Sequence, residues 1–168
     1  MQTIEEILKS NRKPKEIVES LAEALKEDKK LIDELIQRFE DRTTAEKGNC
    51  MEAIEYITKE NPAFAEDYLD FIIEHINDKA PRVKWEASRI IGNVAQRFPV
   101  KVKEAIPRLL ENVNDKGTVV RWSTAFALTE IAKNNPEVRE ILIPKLEILR
   151  EESNNGVRNI YLRYLEHN

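Results

Sequence analysis

Residues 78–114 read DKAPRVKWEASRIIGNVAQRFPVKVKEAIPRLLENVN, and residues 115–151 read DKGTVVRWSTAFALTEIAKNNPEVREILIPKLEILRE. Both stretches are 37 residues long and align without a gap. They share Asp78/Asp115, Lys79/Lys116, Val83/Val120, Trp85/Trp122, Ala95/Ala132, Pro99/Pro136, Ile106/Ile143, Pro107/Pro144 and Leu109/Leu146. A repeat of this period is the mark of a stacked architecture. Working outward, 41–77 keeps Asp41, Ile54, Ile57, Pro62, Leu69, Ile72 and Ile76 in register. Residues 14–40 match with a shorter turn, 3–10 form a short leading helix, and 152–168 make half a repeat.

Each unit reads as two helices. Val83, Ala87, Ile90, Ile91 and Val94 recur at i, i+4, i+7, i+8 and i+11, one face of a helix. Val120, Thr124, Ala127, Leu128 and Ile131 repeat that face. Pro99 and Pro136 end the first helix, because the residue before proline disfavours the helical conformation. Ile106, Leu109, Leu110 and Val113, then Ile143, Leu146 and Leu149, mark the second helix. Pro107 and Pro144 lie in those runs and remove an N–H each, so the second helices start late or kink. Thr3-x-x-Glu6 and Thr43-x-x-Glu46 are capping-box patterns. No run reads as a strand. A lone helix pair of this size cannot bury its apolar stripe, so the units must stack. The expectation is an all-α, right-handed α-solenoid of antiparallel helix pairs. It forms a single repeat domain over 1–168, with units at about 3–40, 41–77, 78–114, 115–151 and a half-unit at 152–168.

At these residues the chain resembles the HEAT-repeat family, which pairs helices with an Asp in the turn and a Val-Arg or Val-Lys opening the first helix. Asp78 with Val83-Lys84, Asp115 with Val120-Arg121, and Val157-Arg158 after Glu152 carry the resemblance. It covers 14–168 and implies an armadillo-type fold serving as a binding scaffold without catalysis, while the lone Cys50 and the missing N-x-S/T sequon give the cytoplasmic expectation. A second similarity is to bacterial alkylpurine DNA glycosylases of the HEAT-like class, which carry Trp and Arg early in such helices. Their catalytic helix places an Asp one turn after a Trp. Arg89 and Phe126 stand at that offset here. That resemblance implies nucleic-acid contact without glycosylase activity.

Composition sets the outer limits. The 168 residues are 41% apolar and 35% charged, with four Gly and seven Pro. No apolar run approaches a membrane span, and the first ten residues carry acids and no signal-peptide core. A lone Cys50 excludes an internal disulfide and fits a reducing compartment. The net charge is −4, divided as −8 over 1–77 and +4 over 78–168. The basic C-terminal half leaves nucleic-acid binding as the rival to protein binding.

Chemistry-bearing motifs are missing: there is no phosphate-binding glycine loop, no H-E-x-x-H and no EF-hand loop. His75 and His167 lie far apart, and one cysteine with two histidines does not make a zinc site. Cys50 shares the register of Ala87 and Thr124 and is expected to be buried and inert. Glu86 and Asp115 have no evident partner for acid–base work. The sequence therefore implies no enzyme, no metal and no cofactor. The partner is an unidentified protein, and the chain is a monomer or a weak homodimer.

Two columns remain. Asp41/Lys47, Asp78/Lys84, Asp115/Arg121 and Glu152/Arg158 place an acid six residues before a base in every unit. They read as a structural ladder in which each acid bonds the backbone or base of a neighbouring unit. Trp85 and Trp122 fall at about 200° on a helical wheel whose core stripe centres at about 20°. Arg89 and Phe126 follow one turn later on the same side. With Lys84 and Arg121 beside them, these residues form the candidate partner-binding site. Stacking sets Trp85 beside Trp122. Phe126 should make Trp122 the more buried ring, and Arg89 should form a cation–π contact with Trp85. At the C-terminal end, Val157, Tyr161, Tyr164 and Leu165 take core register. The tyrosine hydroxyls are expected to reach water while Leu162 or Leu165 is partly exposed, as a cap or a self-association face.

Overall fold

The architecture follows from where proline and apolar spacing allow helices. In a computed structural model that describes residues 2–167, the elements are α1 (Ile4–Leu8), α2 (Pro14–Glu27), α3 (Lys30–Gln37), α4 (Thr44–Glu60), α5 (Leu69–Glu74), α6 (Pro81–Val94), α7 (Pro99–Val102), α8 (Ile106–Glu111), α9 (Thr118–Lys133), α10 (Pro136–Leu149) and α11 (Asn155–His167). Short 3-10 turns at Phe39–Asp41, Pro62–Tyr68 and Lys103–Ala105 join some of them. Among the described residues there is no strand, and no helix is long and apolar enough to cross a membrane.

Five prolines, Pro14, Pro62, Pro81, Pro99 and Pro136, open helical segments. The first turn has no partner for their missing N–H, and their fixed φ suits it. Thr43 and Glu46 form the full reciprocal capping box at α4, and Thr3 accepts the Glu6 N–H at α1. The prolines within the second helices act in two ways. Pro107 falls in the first turn of α8, after a 3-10 turn that divides the second helix of its unit. Pro144 lies inside α10, which runs through it.

The first helices α2, α4, α6, α9 and α11 pack side by side in that order, and the second elements cover one side of the row. This is an α-solenoid. Val83, Ala87, Ile90, Ile91 and Val94 have no exposed surface, and Val120, Thr124, Ala127, Leu128 and Ile131 are buried in the same register. One apolar cluster runs from Ile4 to Tyr164. Cys50 lies in that core, where burial pushes its thiol up to about 12. His75 is buried too, with Nδ1 2.7 Å from the Phe71 carbonyl and Nε2 3.0 Å from Glu40.

In α11, Val157, Tyr161 and Tyr164 are buried while Leu162 and Leu165 are half-covered. Both tyrosines are only 1% exposed, so their hydroxyls do not reach water as expected. Burial raises the Tyr161 hydroxyl above its ordinary value. The rings insert fully because α9 and α10 both pack against α11 and enclose it on two sides.

Candidate functional site

The turns that lead into α6, α9 and α11 are built around three acids of the ladder, while the Asp41 side chain is exposed and takes no such bond among the described residues. Asp78 accepts the Ala80 N–H, Asp115 the Gly117 N–H, and Glu152 the Asn154 N–H. Each is a side chain bonding the backbone two residues on, which fixes the entry to the next first helix. Two acids also take the base of the preceding unit. Lys84 reaches Asp115 at 3.0 Å, and Arg121 reaches Glu152. Partial burial pushes the Asp115 carboxyl up, but the Gly117 N–H and Lys84 together hold it below the ordinary value. Glu152 is likewise raised by burial and held down by the Asn154 N–H and Arg121. In the first rung Lys47 turns instead to Glu40, while Arg158 bonds the Glu152 carbonyl and Asn155. Lys84 and Arg121 are thus engaged at the unit joints.

The outer face of the first-helix row carries the other candidates. Trp122 is 37% exposed and Trp85 is half-buried, the reverse of the expected order. Phe126 does not cover Trp122 but stacks beside it, with centroids 5.7 Å apart and planes 21° apart. The Arg89 guanidinium lies 5.3 Å from the Trp122 ring centroid, so the cation–π contact joins units rather than forming with Trp85. The physical reason is the stacking offset. Here a side chain on α6 meets the residues 33 and 34 positions later on α9. Arg89 accordingly also donates to Ser123 at 3.3 Å. Gly92 obeys the same offset. A Cβ there would lie 2.3 Å from the Phe126 ring, so only glycine lets that ring settle onto α6.

A polar network that the sequence reading missed lies just beneath. Asn93 donates to Glu55 at 2.9 Å and to Thr58 at 3.2 Å, tying α6 to α4. Glu86 is 2% exposed, and its Oε1 accepts no hydrogen bond. The Arg89 guanidinium stands 3.8 Å from that oxygen. Burial, with Glu55 and Glu52 nearby, pushes the Glu86 carboxyl up to about 8, and Arg89 offsets this only in part. Glu86 therefore has neighbours, contrary to its reading as an isolated acid. Its helical phase was the available signal: it lies about 80° from the stripe centre, where an adjoining helix of the row covers it.

The rings border two clefts. One, of about 300 Å³, is lined by Glu55, Lys59, Arg89, Asn93, Trp122 and Phe126. The other, of about 400 Å³, continues past Trp122 and Phe126 to Ile160, Arg163 and His167 on α11. The two share both rings and form one groove across α4, α6, α9 and α11. Among the described residues no group of three or more His, Cys, Asp or Glu side chains is arranged to hold a metal ion.

Residues 47–165 match the family model described as Cnd1, non-SMC mitotic condensation complex subunit 1. The chain belongs to that family. Among curated proteins no sequence matches it. Two solved structures share the fold. An engineered protein has a TM-score of 0.75 and 17% identity, covering 97% of this chain and 78% of its own. A designed armadillo repeat protein has a TM-score of 0.71 and 21% identity, covering 97% of this chain and 79% of its own. The likeness shows an armadillo-type repeat fold.

Proposed function

We propose that this member of the Cnd1 family is a non-catalytic scaffold, a single repeat domain that binds a protein partner across the outer face of its first-helix row. The observation that supports this reading best is the pair of exposed Trp122 and half-buried Phe126. It is stacked, braced by Arg89, and set at the junction of two clefts. Aromatic and arginine side chains at the centre of a concave surface are the usual anchors of protein interfaces. The family's description names a multi-subunit complex, which accords with a part that works by docking. The lone, buried Cys50 accords with a reducing compartment such as the cytoplasm.

The rival, nucleic-acid binding, draws less support. Lys84, Lys101, Lys103 and Arg121 of the basic half are all paired with acids inside the molecule. Duplex binding needs a stripe of free cations. The test is capture of partners from a lysate by the wild-type chain and by the Trp122→Ala, Phe126→Ala double variant, with a nuclease-treated arm. Partners held by wild type after nuclease treatment and lost by the variant support the scaffold. Capture that vanishes with nuclease, or that ignores both rings, contradicts it.

A further inference from the structure

We propose that the half of this groove running from α6 to α11 takes an acidic peptide segment with an apolar anchor, its carboxylates paired with Arg89 and Arg163 and the anchor laid on Trp122 and Phe126. The proposal rests on the scaffold reading and gives its partner a chemistry.

Three observations carry it. Arg89, Phe126 and Arg163 occupy one column, each 37 residues from the next. The repeat therefore presents cation, ring and cation in line along the second cleft and its border with the first. Packed helices lie roughly 8–10 Å apart, so α6 to α11 spans about 16–20 Å. An extended chain advancing about 3.3 Å per residue covers that distance with about five or six residues.

Charge supplies the sign. The chain as a whole carries −4, yet the two clefts are lined by Lys59, Arg89, Lys133 and Arg163 against Glu55 and Glu130. Among the described residues Arg163 has no internal partner. Arg89 faces Glu86 at 3.8 Å, and that carboxyl keeps its proton near neutral pH because of its burial. Arg89 is thus a fixed, oriented cation without a full counter-charge. Its plane is held by the Trp122 ring and by Ser123. Guanidinium forks match carboxylates bidentately. Glu130 in the second cleft disfavours a continuous phosphate backbone more than a short acidic segment with apolar side chains.

Fluorescence anisotropy decides it. The probes are a labelled peptide of alternating glutamate and leucine, its lysine–leucine counterpart, and a single-stranded oligodeoxynucleotide of about twenty nucleotides. The acidic peptide should bind the wild-type chain. Arg163→Glu, at an exposed position, and Arg89→Gln should each weaken it at least about tenfold, as expected when one partner of a desolvated charge pair is lost. Circular dichroism checks that both variants keep the fold. Four outcomes overturn the proposal: tighter binding of the lysine peptide, tighter binding of the oligonucleotide, indifference to both arginine variants, or no binding of any probe. If partner capture still depends on Trp122 and Phe126 while the acidic peptide fails, only the acidic chemistry falls. If both fail, the scaffold reading falls with it.

Discussion

Units 78–114 and 115–151 share a register and reach different ends. Their first helices, α6 and α9, bury the same columns, from Val83 and Val120 to Val94 and Ile131. Their second helices differ. Val100 and Val102 are weak helix formers, and there the chain gives α7, a 3-10 turn and α8. Glu137, Arg139, Glu140 and Leu142 are strong formers, and α10 is continuous. Arg139 takes the place of buried Val102 and donates to the Ala132 and Lys133 carbonyls, satisfying the free end of α9. On the outer face, Arg89 in one unit reaches the Trp122 ring of the other. The comparison teaches that the repeat constrains the inward columns tightly and leaves the outward ones free to diverge into a site.

The largest expected effect tests the shared part. Leu109 and Leu146 are both fully buried at one register position. Leu→Ala at either should cost about 2–5 kcal/mol in denaturant titration, and the two costs should agree. A much smaller loss at Leu146 would break the equivalence of the units.

The prolines test the divergent part. Pro144 deprives the Glu140 carbonyl of its helical partner within α10, whereas Pro107 sits in a first turn. Pro144→Ala should stabilise by about 1–3 kcal/mol, and Pro107→Ala should change stability by less than about 1 kcal/mol. Equal responses would show that α10 is not strained at its proline.

Glu86 sharpens the comparison at the α4–α6 joint, since Ser123 takes its place in the next unit. Its carboxyl rises from an ordinary value of 4.5 to about 8 in the fold. The folded chain therefore holds a proton that the unfolded chain releases, and stability falls as pH rises through that window. Glu86→Gln should flatten the decline and leave the chain more stable than wild type at pH 8. A pH profile of the melting temperature checks it, and identical slopes in variant and wild type would contradict the assignment.

The smallest effect concerns Gly92. Gly92→Ala should destabilise by about 1 kcal/mol, because the gain in helix propensity is outweighed by the collision with Phe126. In a Phe126→Ala background the same change should stabilise by about 1 kcal/mol. Matching signs in both backgrounds would show that the ring does not rest on that glycine.

The solenoid was legible because proline placement and the i, i+4, i+7 pattern are local properties of the chain. The Val83 to Val94 face and the end of each first helix before Pro99 and Pro136 needed no tertiary knowledge. The site was less legible because a helix in the middle of a row is covered on three sides. A single-stripe reading leaves Glu86, Asn93, Ser123 and Gly92 outside the core, yet each interacts with or closely approaches a neighbouring first helix. The same reading paired Arg89 with Trp85, one turn back, when the stacking of units delivers it to Trp122, 33 residues on. The column from Asp78 to Arg158 showed acids and bases at fixed spacing, but not which base meets which acid: Lys84 goes forward to Asp115, while Lys47 goes back to Glu40.

Hydrogen exchange on the chain alone and with its captured partner tests the central claim most directly. Exposed apolar side chains lie on the first-helix row, Trp122 among them, and on the second elements, Val100 on α7 and Ile141 and Ile148 on α10. The account expects slowed exchange in α6, α9 and α11 with α10 unchanged. Protection confined to α10 would contradict it.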